Sequence, residues 1–141
     1  MEKKLATGIF SRIKSKQAKA ALTEFPFQVS FEKDQFIKWI TEQIQIQNGR
    51  CHYCETSQDD INRLIEAEIL TSKRFKTRGK NLELERLDSK GNSYSPENCV
   101  LVCYFCNNDK SDVVSSNDYI QFFAESKKLY MQHLLNKLKL K

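Results

Sequence analysis

Two Cys-x-x-Cys pairs, Cys51-His52-Tyr53-Cys54 and Cys103-Tyr104-Phe105-Cys106, are the residues whose type and spacing most directly imply chemistry. Each such turn points two sulfurs at one ion. Two turns together supply four thiolates, the closed tetrahedral shell of a structural zinc ion. The N-terminus, MEKKLATGIFSRIKSKQAKAAL, is basic but lacks an apolar core followed by a small-residue cleavage site. The expectation is therefore a cytoplasmic chain whose thiols stay reduced rather than a disulfide framework. A redox role is disfavoured because neither pair opens a helix after a thioredoxin-like strand. The fifth cysteine, Cys99, sits in an apolar run and reads as a buried packing thiol. His52 reads as an exposed knuckle residue, with an alternative-ligand role also open, and His133 has no partner motif.

The second pair closes a stretch, 81–112, that places further chemistry beside it. Leu82-Glu83-Leu84-Glu85-Arg86-Leu87-Asp88 alternates apolar and charged residues, as a half-buried strand with its acids on the open face does. Ser89-Lys90-Gly91-Asn92-Ser93 is a turn by composition. Cys99-Val100-Leu101-Val102 is a second strand, and a short helix is expected from Asn107. The order is strand, turn, strand, knuckle, helix, with the other knuckle far upstream.

The flanks read as helices. Residues 4–22 form a basic amphipathic helix with a stripe of Leu5, Ile9, Ile13 and Leu22, widened by Phe10 and alanines 18, 20 and 21. Pro26 makes 23–29 a connector. Ser30 is the expected cap of a helix carrying Phe31, Phe36, Ile37, Trp39, Ile40 and Ile44 to Asn48-Gly49, with core packing as the role of its aromatics. Thr56-Ser57-Gln58-Asp59 caps a helix over roughly 58–70 with Ile61, Leu64, Ile65 and Ile69 on one face. Asn117 or Asp118 is expected to cap a last helix through Leu134.

At 141 residues, with 40% hydrophobic and 29% charged side chains, the chain fits one α+β domain with helical arms. No apolar run approaches the roughly 20 residues of a membrane span, so no membrane partner is expected. The net charge of +5 is uneven. Basic residues cluster in the N-terminal helix (Lys14, Lys16 and Lys19 among them), in the 71–80 loop (Lys73, Arg74, Lys76, Arg78, Lys80) and near the C-terminus. Such fields suit a polyanion, and each is also what a solvated face looks like.

Glu85-Arg86-Leu87-Asp88, Tyr94-Ser95-Pro96-Glu97-Asn98 and Cys103-Tyr104-Phe105-Cys106-Asn107-Asn108-Asp109-Lys110, with the upstream Arg50-Cys51-His52-Tyr53-Cys54, resemble the HNH endonucleases, the His-Me finger or ββα-metal nucleases. The resemblance is firm over 50–110. It implies a treble-clef-like ββα finger, zinc-stapled and flanked by helices. The implied organisation is 1–49 for the N-terminal helices, 50–114 for the finger and 115–141 for a helix packing on it.

The resemblance also implies roles. Glu85 and Asn107 would hold a catalytic divalent ion, Mg²⁺ or Mn²⁺. Asn98 would brace the loop between the strands. Lys14, Lys16, Lys19, Lys73, Arg74, Lys76, Arg78, Lys80 and Lys110 would contact DNA phosphates. The departure is Arg86, which stands where the family places its general-base histidine. A guanidinium stays protonated and cannot abstract a proton. Asp88 or the more distant His52 could serve instead, Arg86 could clamp the phosphate, or the finger could bind without cutting. A shift of register, with Asp88 as ligand, is a further alternative. The implied function is a metal-dependent DNA endonuclease with little sequence preference. The alternative is a catalytically impaired zinc module that binds nucleic acid, RNA included, or a protein complex.

Overall fold

The computed structural model describes residues 2–20, 28–29, 31–74, 78–88 and 93–140, without the side chains at 19, 20 and 28. The connector at 23–27, Ser30 as a cap, Ala21, Leu22, Lys76 and the 89–92 turn lie outside the described residues.

Helix α1, Glu2–Ala20, buries Ala6, Ile9 and Ile13 and half-buries Leu5 and Phe10. Ala18, expected to widen the stripe, is exposed. Strand β1 (Gln28–Val29) follows, then α2 (Lys33–Ile46), which packs on α1 through Phe36 and Ile40. The cap of α2 is Glu32, whose N–H donates to the Gln35 side chain at 3.3 Å. Asn48 and Gly49 end the helix at φ 53° and 66°, and the Gly49 N–H returns to the Ile44 carbonyl at 2.9 Å.

Helix α3 spans Gln58–Glu66, capped by Ser57, whose hydroxyl accepts from the Asp60 N–H at 3.1 Å. It is shorter than its apolar pattern suggests. Glu68, at φ 56°, turns the chain so that Ile69 and Leu70 pack from a loop. Strand β2 (Glu83–Arg86) pairs antiparallel with β4 (Cys99–Val102), in the register Glu83↔Val102 and Arg86↔Cys99. Strand β3 (Ser93–Tyr94) pairs parallel with β1, a contact absent from any local pattern. A 3-10 turn, Pro96–Asn98, leads into β4.

Helix α4 begins at Tyr104 rather than Asn107 and runs to Lys110. Cys103 is its cap, the sulfur accepting from the Cys106 N–H at 3.4 Å, so the second Cys-x-x-Cys pair does open a helix directly after a strand, contrary to the expectation from sequence. Ser115, not Asn117 or Asp118, caps the last helical rod at 3.1 Å. That rod is α5 (Ser116–Tyr119), a π-helical turn (Ile120–Ala124) and α6 (Glu125–Lys139).

All four residues of β4 are buried. Val100 and Val102 belong to a core containing both knuckles, α3, α5 and α6. Cys99 and Leu101 belong to a second core built with α1 and α2. The alternation of a strand thus divides one segment between two apolar layers. The fold is α+β: a two-stranded antiparallel ribbon and a short helix, flanked by longer helices. Among the described residues no helix is long and apolar enough to cross a membrane.

Candidate functional site

The four knuckle cysteines converge although 49 residues separate Cys54 from Cys103. All are buried, none is in a disulfide, and their sulfurs lie within 4.8 Å of one another, with Cys54 and Cys103 3.9 Å apart. A tetrahedral ion at about 2.3 Å from each thiolate separates the sulfurs by about 3.8 Å. The cluster therefore fits a closed metal site such as zinc. Hydrogen bonding with Cys103 holds the Cys54 thiol well below its ordinary range, while hydrogen bonding with Cys106 holds Cys103 above its own. Cys99 stands apart in the other core, where burial pushes its thiol up to about 12. His52 is exposed.

The second constellation is the face of β2 covered by α4. Glu83 and Glu85, two residues apart, point to one side of the strand, and Asn107 and Lys110, three apart, lie on one side of the helix. Lys110 is fully buried, with Nζ 3.7 Å from Glu85 Oε2. Neither atom makes a hydrogen bond. Burial raises the Glu85 carboxyl above its ordinary range, against the lowering effect of Lys110. Beside this pair, Asn107 Nδ2 donates to Glu83 Oε1 at 2.9 Å. Arg78 reaches the same carboxylate with Nη2 at 2.6 Å and Nε at 3.2 Å, and its guanidinium lies 4.7 Å over the Tyr104 ring.

Two expectations are corrected here. The acids of the first strand do not share an open face, because α4 covers Glu85, 7% exposed, while Glu83 lines the groove. Lys110 cannot contact phosphate from the surface, because it is 0% exposed and its ammonium is spent on Glu85.

A groove of about 510 Å³ runs past this interface. Arg12 and Lys16 line it from α1, Arg78 and Lys80 from the loop, and Glu83 and Asn107 from β2 and α4. Lys14, Lys73 and Arg74 are exposed but do not line it. Lys19 and Lys76 lie outside the described side chains. Arg86 stacks 4.7 Å over the Tyr94 ring. Asn98 ties the loop ends together: Oδ1 accepts from the Asp88 N–H at 2.9 Å, and Nδ2 donates to the Asp88 and Ser93 carbonyls at 3.0 and 2.7 Å. Asp88 is exposed just past the strand. His52 lines a separate recess with Arg50, Glu55 and Lys128 and shares no wall with the groove.

Strand, braced loop, strand, knuckle and helix, with the second knuckle upstream, can be set against known architectures. The fold is similar to that of an HNH restriction endonuclease. That protein is PacI, described as a rare-cutting HNH restriction endonuclease that perturbs DNA. The likeness has a TM-score of 0.63 over 86% of this chain and 75% of PacI, at 23% identity. No protein-family model and no curated protein matches the sequence.

Within this fold, Glu85 and Asn107 are the oxygen donors expected to hold a second ion. Glu85 Oε2 accepts no hydrogen bond, and Asn107 uses its nitrogen, keeping its oxygen. Mg²⁺ binds through one or two protein oxygens with water and substrate phosphate completing the shell. Both residues belong to the α4–β2 interface, where Asn107 lines the groove and Glu85 lies buried behind it. Lys110 is the competing cation.

Two groove residues escaped the sequence reading of the site, Arg12 and Glu83. Arg12 lies one helical turn from Lys16 on α1, a spacing visible in the sequence. Glu83 could have been found only from its phase with Glu85, two residues on.

Proposed function

We propose that this chain is an HNH-type, metal-dependent endonuclease that hydrolyses phosphodiester bonds in DNA with little or no sequence preference. The observation carrying this reading is the groove, where Arg12, Lys16, Arg78 and Lys80 converge on the cleft that Asn107 lines. The similarity in fold to an HNH restriction endonuclease and the motif resemblance over 50–110 support it.

The cysteine cluster would hold zinc as a structural staple. Glu85 and Asn107 would hold Mg²⁺ or Mn²⁺, which when bound supplies positive charge to the phosphate undergoing substitution. The groove cations grip the backbone, giving affinity that falls with salt and carries no sequence information. Arg86, always protonated, stabilises negative charge and takes no proton. Asn98 holds Asp88 at the end of β2. Asp88, an exposed carboxylate just past β2, is the proposed acceptor of the proton from water.

Zinc-loaded protein is incubated with supercoiled plasmid and Mg²⁺ or Mn²⁺. Nicking that is lost in Glu85→Ala and Asn107→Ala is expected. A wild type that never nicks, or Glu85→Ala nicking as fast as wild type, defeats the proposal.

The buried Glu85–Lys110 pair favours a second reading, a finger that binds nucleic acid without cutting it. Salt-sensitive duplex binding by a wild type inert with both ions would select that reading.

A further inference from the structure

Glu83 has no counterpart in the motif that resembles the nucleases, yet its carboxylate joins three elements. It receives two hydrogen bonds from Arg78 in the loop and one from Asn107 in α4, while belonging to β2. Its side chain is 19% exposed and lines the groove. An ordinary surface ion pair has one partner and little consequence. This one is bidentate on one side and fixes an amide on the other.

The orientation of that amide follows from elementary chemistry. An ionised carboxylate only accepts hydrogen bonds, so an asparagine facing it must present its nitrogen. Asn107 Oδ1 is therefore turned away from Glu83. With Leu, Met or Ala at position 83 the amide would be free to rotate and offer its nitrogen, which repels a cation, as readily as its oxygen.

We infer that Glu83 is a positioning residue: it turns the Asn107 amide so that the oxygen is presented to a divalent cation, and Arg78 locks Glu83 in place from the groove side. The inference rests on the nuclease reading above, in which Asn107 is a ligand. Outer partners that orient a ligand typically change metal affinity by 10–100-fold when removed.

The test compares Glu83→Met, which keeps bulk and removes both acceptor oxygens, with Glu83→Gln, whose carbonyl oxygen still accepts from Asn107. Mn²⁺ binding to the zinc-loaded protein is followed by the electron paramagnetic resonance signal of free Mn²⁺. Plasmid nicking is measured in parallel, and circular dichroism melts confirm folding of each variant. Glu83→Met is expected to raise the Mn²⁺ Kd by about tenfold or more. Its kcat falls correspondingly. Glu83→Gln stays within about threefold of wild type in Mn²⁺ affinity, the rescue expected if the hydrogen bond rather than the charge matters. Glu83→Met binding Mn²⁺ as wild type does overturns the inference. So does Glu83→Gln binding as weakly as Glu83→Met, or a wild type that binds no Mn²⁺. A wild type that fails to nick while the two variants still separate in Mn²⁺ affinity defeats the nuclease reading alone and leaves the positioning role supported.

Discussion

Lys110→Met tests the α4–β2 interface most sharply. The substitution keeps the length of a fully buried side chain and deletes its charge, leaving Glu85 with 8% of its side chain exposed and no counter-ion at 3.7 Å. At an effective dielectric of about 20, two unit charges at that distance interact by about 4–5 kcal/mol. Breaking a buried pair from one side generally costs about 3–5 kcal/mol, because the remaining charge is stranded. For a domain of this size that lowers the melting midpoint by roughly 10 °C or more.

The loss should also depend on pH. Burial already holds the Glu85 carboxyl above its ordinary range. An acid whose folded pKa exceeds its unfolded value binds its proton more tightly when folded. It therefore favours folding at low pH, and that contribution disappears as pH rises through the folded pKa. Removing Lys110 lifts this pKa further. The deficit of Lys110→Met is then smallest in acid and grows as pH climbs above the ordinary glutamate value of about 4.3. Melts of zinc-saturated protein, without Mg²⁺, between pH 5 and 8 measure it. Adding Glu85→Gln to Lys110→Met should recover part of the loss at neutral pH, since a neutral amide is cheaper to bury than an unpaired carboxylate. A midpoint unchanged by Lys110→Met, or a double variant no more stable than the single one, would refute the buried-pair account.

Other consequences are open to simpler measurements. Metal analysis should find about one zinc per chain, and Cys103→Ser or a strong chelator should remove it together with the cooperative melt, because four thiolates in a small core make metal binding part of folding. Arg12→Ala and Lys16→Ala should each weaken duplex binding and lower the slope of log affinity against log salt by about 1, whereas Lys14→Ala, outside the groove, should change affinity less. Asn98→Ala removes one acceptor and two donor contacts that close the loop between β2 and β3, and should cost about 1–3 kcal/mol in a denaturant titration.

The cysteine site was legible because its information is local: two tight spacings, each a turn that aims two sulfurs. Ser57 and the Asn48-Gly49 stop were legible for the same reason. The cover over the acid face of β2 was not. Leu82 and Leu84 pack on the α1–α2 layer as their alternation implies, but Glu85 is buried by α4, a helix that arrives some twenty residues later. The burial of Lys110 was hidden likewise, since a lysine looks exposed until its acid is known. Helix α4 starts earlier than its polar residues suggest because Cys103 caps it with a sulfur, an acceptor that oxygen-based capping rules do not anticipate. The β1–β3 pairing joins segments some sixty residues apart and leaves no periodic trace.

The strand β4 carries a consequence of its own. Its four side chains are shared alternately between the cysteine layer and the layer in which α1 sits. Among the described residues, either layer would lose its floor with the other. An event at the sulfurs is therefore communicated to Arg12 and Lys16 without any moving part, through loss of a common wall. If the thiols hold zinc and the groove takes a polyanion as proposed, oxidising or stripping the thiols should loosen that grip in the same transition.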